Sequence, residues 1–363
     1  MAKSPVISVK NLTVSYRTRN GRAVAVNNVS LDINRGEVVG IVGETGCGKS
    51  TLAHSISRLL PEPPASIDRG SIIFEGVDML TVPRNRMPAY RGTGISMIFQ
   101  EPINSLNPAY RIYNQVAEAI RVRKLREAGV HVSKDVGMFN YSSNSQPEPH
   151  PLQDRTIPKG GKGEKMDEEI RREAVEFLNM VRINDPERVL TLYPHELSGG
   201  MRQRIMIAMA LSEKPKVMIA DEPTSALDVT IQAQVLSLMK DLIEEVSTSI
   251  LFISHDLGVM AEIADRIGVM YAGRIVEIGS AEDIFLHPAH PYTISLMHSF
   301  PNIYKSQGFL PTLKGSVPNL ARLPPGCVFR ERCEMAATKC IEEPEIKDLG
   351  EGHLVYCHYC EGG

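Results

Sequence analysis

Gly43-Glu44-Thr45-Gly46-Cys47-Gly48-Lys49-Ser50-Thr51 lies between an apolar run, Val38-Val39-Gly40-Ile41-Val42, and a helix-like run from Leu52 to Leu60. The order is strand, glycine-rich turn, helix. That is the context in which a G-x-x-x-x-G-K-[ST] pattern signifies phosphate binding. Glycines let backbone N–H groups curl round an anion, and the new helix adds its positive end. In this arrangement Lys49 reaches the terminal phosphates as a point charge and the Ser50 hydroxyl ligates Mg²⁺.

Working outward, similar polar groups sit at the ends of other apolar runs. Ile95-Ser96-Met97-Ile98-Phe99 leads to Gln100, Val217-Met218-Ile219-Ala220 to Asp221-Glu222, and Ile250-Leu251-Phe252-Ile253 to Ser254-His255-Asp256. In an open parallel sheet, ligands bind off the carboxyl ends of strands. An acid pair directly after a buried strand suits Mg²⁺ binding and water activation, because unpaired charge there is otherwise costly. Gln100 fits a metal contact or a solvated loop equally well, and His255 fits a phosphate donor or a structural histidine. Leu197-Ser198-Gly199-Gly200-Met201 opens the apolar helix Ile205 to Leu211. That is either a serine cap or a second anion-binding helix end.

Residues 6–34 alternate like antiparallel strands, with Tyr16 near the end of the first. Its spacing leaves packing and a ligand role both open. Pro61 to Gly70 reads as a proline-rich loop before a strand at Ser71–Phe74, and residues 111–126 as a helix. From about Gly129 to Lys165 the chain is rich in Ser, Asn, Pro and Gly and reads as a mobile insertion, with helix resuming at Asp167.

The chain has 363 residues and a net charge of −3, which argues against a nucleic-acid surface. It has no apolar run approaching the ~18–20 residues of a membrane helix and no signal-like start, so a cytosolic location is expected, at a membrane only through partners. Five of the six cysteines, Cys327, Cys333, Cys340, Cys357 and Cys360, crowd the end of the chain, separated by five, six, sixteen and two residues. In a cytosolic protein that crowding points to metal or cluster ligation. The spacing leaves zinc and iron–sulfur both open, with His353 and His358 as further zinc donors.

The whole set resembles the nucleotide-binding subunit of an ABC transporter over about residues 6–300. The resemblance implies an α/β P-loop NTPase (RecA-like) core, an antiparallel β subdomain and an α-helical signature subdomain. It implies ATP and Mg²⁺, with Gly43 to Thr51 around the phosphates, Tyr16 on adenine, Gln100 and Asp221 at the Mg²⁺, Glu222 polarising water and His255 on the γ-phosphate. Ser198, Gly199 and Gly200 would close on ATP held by a second ATPase subunit, identical or paralogous, docked head to tail, with Asp228 in the dimer contact. Met201 departs from the usual glutamine of the signature, and Cys47 from the commoner serine.

His290-Pro291-Tyr292-Thr293 and the tail are similar to the oligopeptide and dipeptide importer branch. The expected domains are a nucleotide-binding domain over 1–285, with a helical subdomain over about 101–212, and a cysteine-rich extension over 286–363. This likeness implies a [4Fe–4S] cluster on Cys327, Cys333, Cys340 and Cys357, with Cys360 spare and Zn²⁺ as the alternative. It also implies two transmembrane permease subunits, an extracytoplasmic binding protein and no nucleic acid. Sugar or nickel importers, a soluble ABC ATPase and an iron–sulfur redox sensor are the rival functions.

Overall fold

A computed structural model describes residues 4–19, 21–100, 105–128, 161–225, 229–298 and 315–360. The chain begins with strands β1 (Pro5–Thr18), β2 (Gly21–Asn34) and β3 (Val38–Val42), helix α1 (Lys49–Ile56), and strands β4 (Ala65–Phe74), β5 (Val77–Asp78) and β6 (Ile95–Ile98). A helical stretch follows: α2 (Ile112–Glu127), α3 (Gly161–Met180), α4 (Pro186–Thr191) and α5 (Gly199–Ser212). Then come β7 (Val217–Asp221), α6 (Val229–Val246), β8 (Ser249–Ile253), α7 (Leu257–Ile263), β9 (Arg266–Tyr271), β10 (Arg274–Ser280), α8 (Ala281–Leu286) and α9 (Pro291–His298). The tail adds a short hairpin, β11 (Ile346–Asp348) and β12 (Leu354–Tyr356).

Contacts divide the chain into two compact units. One comprises residues 1–81, 219–222 and 249–363, and the other residues 82–218 and 223–248. The first unit holds an antiparallel sheet in the order β2-β1-β4-β5. It also holds strands ordered β11-β12-β10-β9-β3-β8, with the end of β7 beside β8. β3 pairs in parallel with both β8 and β9, so that Gly40 faces Phe252 on one side and Ile267 on the other. All five residues of β3 are buried. A parallel strand covered on both faces reads as an unbroken apolar run rather than an alternating one. Gly40 leaves room for α7: a Cβ there would stand 2.6 Å from Met260 Sδ and 3.2 Å from Ala264 Cβ.

The α/β architecture with its antiparallel subdomain agrees with the sequence expectation. Two local expectations change. Residues 65–70, expected as loop, are the first half of β4, where Ala65, Ser66, Ile67 and Arg69 pair with Tyr16, Ser15, Val14 and Thr13. The partner strand lies some fifty residues earlier, so no local pattern reports it. α3 starts at Gly161 rather than Asp167. The rest of the expected insertion, residues 129–160, lies outside the described residues.

The tail is attached through the sheet. β12 pairs antiparallel with β10, placing Val355 against Glu277 and Leu354 against Ile278. Glu277 is fully buried. Its carboxylate accepts from Ala289 N at 2.8 Å and His290 N at 2.9 Å, and meets His353 Nε2 at 2.8 Å. These contacts join the sheet, the start of α9 and the tail hairpin.

In the second unit β6 runs beside the start of β7, where Val217 N donates to Gly94 O at 3.0 Å. Helices α2, α3 and α5 pack on one another. The buried Arg123 of α2 pairs with Glu127 and with Glu173 of α3. Among the described residues no helix is long and apolar enough to cross a membrane.

Replacing Glu277 by alanine removes the acceptor for two backbone donors and a histidine at once. Thermal or urea unfolding is expected to show a loss of about 3–5 kcal/mol, with faster limited proteolysis of the tail. Unchanged proteolysis would mean that the tail is held elsewhere.

Candidate functional site

The phosphate loop takes its shape from backbone pressed against backbone. Gly43 has φ +152°, and a Cβ on it would fall 2.1 Å from the Met270 carbonyl oxygen. Gly48 has φ +110°, and a Cβ there would fall 2.1 Å from the Ala25 carbonyl oxygen. Only glycine fits these two positions, both sterically and in φ. Lys49, at 5% exposure, turns back over the loop, where its Nζ donates to Gly43 O at 2.8 Å and Glu44 O at 3.1 Å. The ammonium thus occupies the mouth of the nest that the glycines form. Cys47 is fully buried, and burial raises its thiol pKa.

Three strand ends of the first unit bring their polar groups to the same rim. Asp221, at the end of β7, accepts from Ser50 Oγ at 3.1 Å. Burial lifts the Asp221 carboxyl above its usual range, partly offset by that hydrogen bond and by His54. Glu222 has a left-handed backbone, φ 47°, and its N–H donates to Ile253 O at 2.9 Å. That turn swings its carboxylate across to His255, whose Nδ1 lies 3.3 Å away. Ser254 Oγ accepts from Asp256 N at 2.9 Å, and Asp256 caps α7 through Gly258 N at 2.8 Å. Tyr16 OH lies 3.4 Å from Thr51 Oγ1 in the first turn of α1, so this aromatic flanks the loop.

The second unit carries the rest of the expected set. Ser198 is the N-cap of α5, its Oγ accepting from Met201 N at 3.3 Å. Ser198 and Gly199 are exposed, and nothing lies within 4 Å of a Cβ built on Gly199. The capping reading holds, and helix geometry leaves the first N–H groups of α5 without i−4 carbonyls. Gln100 is exposed just beyond β6. Asp228 lies outside the described residues.

In the tail, Cys327, Cys333, Cys340 and Cys357 line one small cavity with His290, Phe329, Met335 and His358. Cys360 does not line it; its Sγ donates to Cys357 O at 3.3 Å. Burial raises the thiols of Cys327 and Cys333, and pushes Cys357 up to about 11. As they stand, no three His, Cys, Asp or Glu side chains among the described residues are grouped to hold a single metal ion. His353, expected as a zinc donor, is turned to Glu277 instead, because a fully buried carboxylate needs a partner.

Sequence reasoning missed a layer of contacts under the phosphate loop. Tyr292 of α9 accepts from Glu44 N at 3.0 Å, and Arg332 holds the Glu44 carboxylate with both of its terminal nitrogens, at 2.8 and 3.0 Å. Tyr271 packs on Tyr292 and Phe329. The His-Pro-Tyr-Thr segment was legible as a motif, but its target, nearly 250 residues upstream, was not.

Comparison with known proteins agrees with this geometry. Residues 26–225 match a family profile described as ABC transporter, and residues 276–340 one described as oligopeptide/dipeptide transporter, C-terminal region. The chain is 41% identical to a probable D,D-dipeptide transport ATP-binding protein, DdpD, of Escherichia coli, over 96% of this chain and 94% of that one. It is 40% identical to the oligopeptide transport ATP-binding protein OppD of Haemophilus influenzae, over 98% and 97%. Among solved structures, the ATP-binding cassette MJ0796 in a dimeric post-hydrolysis state with ADP and Pi aligns at a TM-score of 0.56 and 25% identity, covering 76% of this chain and 98% of that one. With its phosphate loop, its acid-bearing strand ends and both profiles in place, the chain belongs to the ABC transporter family, as an ATPase of the oligopeptide/dipeptide branch.

Proposed function

We propose that this chain hydrolyses ATP to drive uptake of di- or oligopeptides through two membrane permease subunits fed by an extracytoplasmic binding protein. It works at the inner face of the membrane, as one of two ATPase subunits docked head to tail. The observation that carries the reading is the single rim where Lys49, the Ser50–Asp221 pair and the Glu222–His255 pair meet. The division expected from sequence, a nucleotide domain over 1–285 and an extension over 286–363, belongs to the same proposal.

Each residue then has a task. Phosphate oxygens compete with the Gly43 and Glu44 carbonyls for the Lys49 ammonium, while the loop amides cradle them. Ser50, Asp221 and Gln100 would hold Mg²⁺, which neutralises phosphate charge when bound. Glu222 accepts a hydrogen bond from the attacking water and draws off its proton as the water oxygen bonds to the γ-phosphorus. The bond to the bridging oxygen breaks, leaving ADP and phosphate. His255, steadied by Glu222, donates to a γ-phosphate oxygen. Tyr16 stacks on the adenine. The corner of exposed Ser198 and Gly199 with half-buried Gly200 supplies a partner's nucleotide with N–H donors, since an open helix end suits an anion, and Asp228 belongs to the dimer contact.

The tail cysteines would hold an iron–sulfur cluster, with zinc as the alternative. What supports this reading is that Cys327, Cys333, Cys340 and Cys357 line one cavity. A bound cluster would supply fixed positive iron centres for four thiolates. The chain's part is to present Cys327, Cys333, Cys340 and Cys357 and to shield them with Phe329 and His290.

Glu222→Gln is expected to lower phosphate release by roughly 10²–10⁴-fold while ATP binding persists and a dimer accumulates on size-exclusion chromatography. Wild-type turnover would remove Glu222 from the mechanism. With the permeases and binding protein in proteoliposomes, labelled dipeptides should accumulate only when ATP is present on the ATPase side; uptake of nickel or sugar in their place would reassign the cargo. Anaerobic purification should give brown protein containing iron, and Cys333→Ser should bleach it. Colourless wild-type protein containing zinc would end the cluster reading.

A further inference from the structure

Glu44 is the one acidic residue in the loop from Gly43 to Thr51, and that loop exists to hold a polyanion. A carboxylate free to swing there would repel phosphate at short range, where screening is weak. The structure gives Glu44 a dedicated partner from the far end of the chain. Arg332 meets it fork to fork, Nη1 to Oε2 at 2.8 Å and Nη2 to Oε1 at 3.0 Å. The Arg332 side chain is only 7% exposed. Its guanidinium lies 5.6 Å from the Tyr271 ring centre, and Nη1 also donates to Tyr271 OH at 3.3 Å. The Glu44 backbone is fixed as well, since its N–H donates to Tyr292 OH at 3.0 Å. The residue is therefore held at both its backbone and its carboxylate, on the side of Tyr271 and Tyr292.

A pair of this kind at a surface would be weak. Here one partner is buried, the geometry is bidentate, and Arg332 stands on a short turn, Arg330–Arg332, between two cysteines that line the tail cavity. Bidentate guanidinium–carboxylate pairing fixes orientation as well as charge.

We propose that Arg332 is a positioning residue for nucleotide binding. It neutralises Glu44 and keeps its carboxylate turned away from the phosphates, so that ATP meets a loop whose active charge is that of Lys49. The tail thereby contributes to nucleotide affinity without touching the nucleotide. The alternative is that the pair merely staples the tail to the core, in which case its loss would lower stability and leave affinity to the folded protein unchanged.

The test uses the full-length chain and a fluorescent ATP analogue, with thermal melting alongside. Arg332→Met is expected to raise the Kd for the analogue, and the KM for ATP, about tenfold, with kcat at saturating ATP within about twofold. Adding Glu44→Gln to Arg332→Met should bring Kd back to within about twofold of wild type, because the repelling charge is gone. Arg332→Lys keeps the charge and loses the fork, so its Kd should rise only about threefold. Wild-type affinity in Arg332→Met, or a double variant that binds no better than Arg332→Met, would overturn the proposal. If Arg332→Met does not fold, Arg332→Lys with and without Glu44→Gln decides the question: Glu44→Gln must lower the Kd of the lysine variant, and failure to do so overturns it.

Discussion

The parallel pairing of β3 with β8 on one side and β9 on the other is the constraint on which the site rests. It buries β3 entirely and delivers its carboxyl end to a fixed point. Two neighbouring backbones then shape the loop that follows, since the Met270 and Ala25 carbonyls leave no room for a Cβ at Gly43 or Gly48. The nest for phosphate is therefore a property of strand packing, and its N–H groups are arranged before any ligand arrives. The same pairing places β8 and the end of β7 next in line, so the Asp221, Glu222 and Ser254 side of the rim follows from strand order.

Charge at that rim is internally satisfied. Lys49 rests on two carbonyls, Asp221 on Ser50, Glu222 beside His255, and Glu44 on Arg332. Each of these ionic groups has a partner among the described residues, as the cost of desolvation requires. On the proposed reading, a nucleotide exchanges the partners of Lys49, Ser50 and Asp221 rather than filling a void, while Glu44 keeps Arg332. Burial of Asp221 raises its pKa, which a nearby cation would reverse.

The legible parts of the chain were those whose signal is local. The glycine pattern between strand and helix, the acid pair after Val217–Ala220, and the serine ahead of α5 each carry their chemistry within a dozen residues, and each lies where expected. The illegible parts depend on distant pairing. Residues 65–70 are a strand because β1 supplies a partner. Ionisable groups were the hardest to place. His353 lies close to cysteines in sequence, which suggests a metal donor, yet it answers to Glu277, a buried acid on β10. Arg332 has nothing in its sequence surroundings, beside Cys333, to show that it grips the phosphate loop. A sequence shows which residues are near one another along the chain, and an ion pair across nearly three hundred residues leaves no trace in periodicity.

The pairing of β3 also sets a schedule for synthesis. Val38 faces Ile250 in the finished sheet, so the strand that founds the catalytic centre leaves the ribosome some two hundred residues ahead of its neighbours. At about 5–20 residues per second, that interval is roughly ten to forty seconds. The antiparallel sheet of β1, β2 and β4 can close meanwhile, since all three strands lie within the first 74 residues. β3 cannot, and its five apolar residues wait without edge partners. A strand that is wholly buried in the mature molecule is thus naked at both edges while the chain is still being translated.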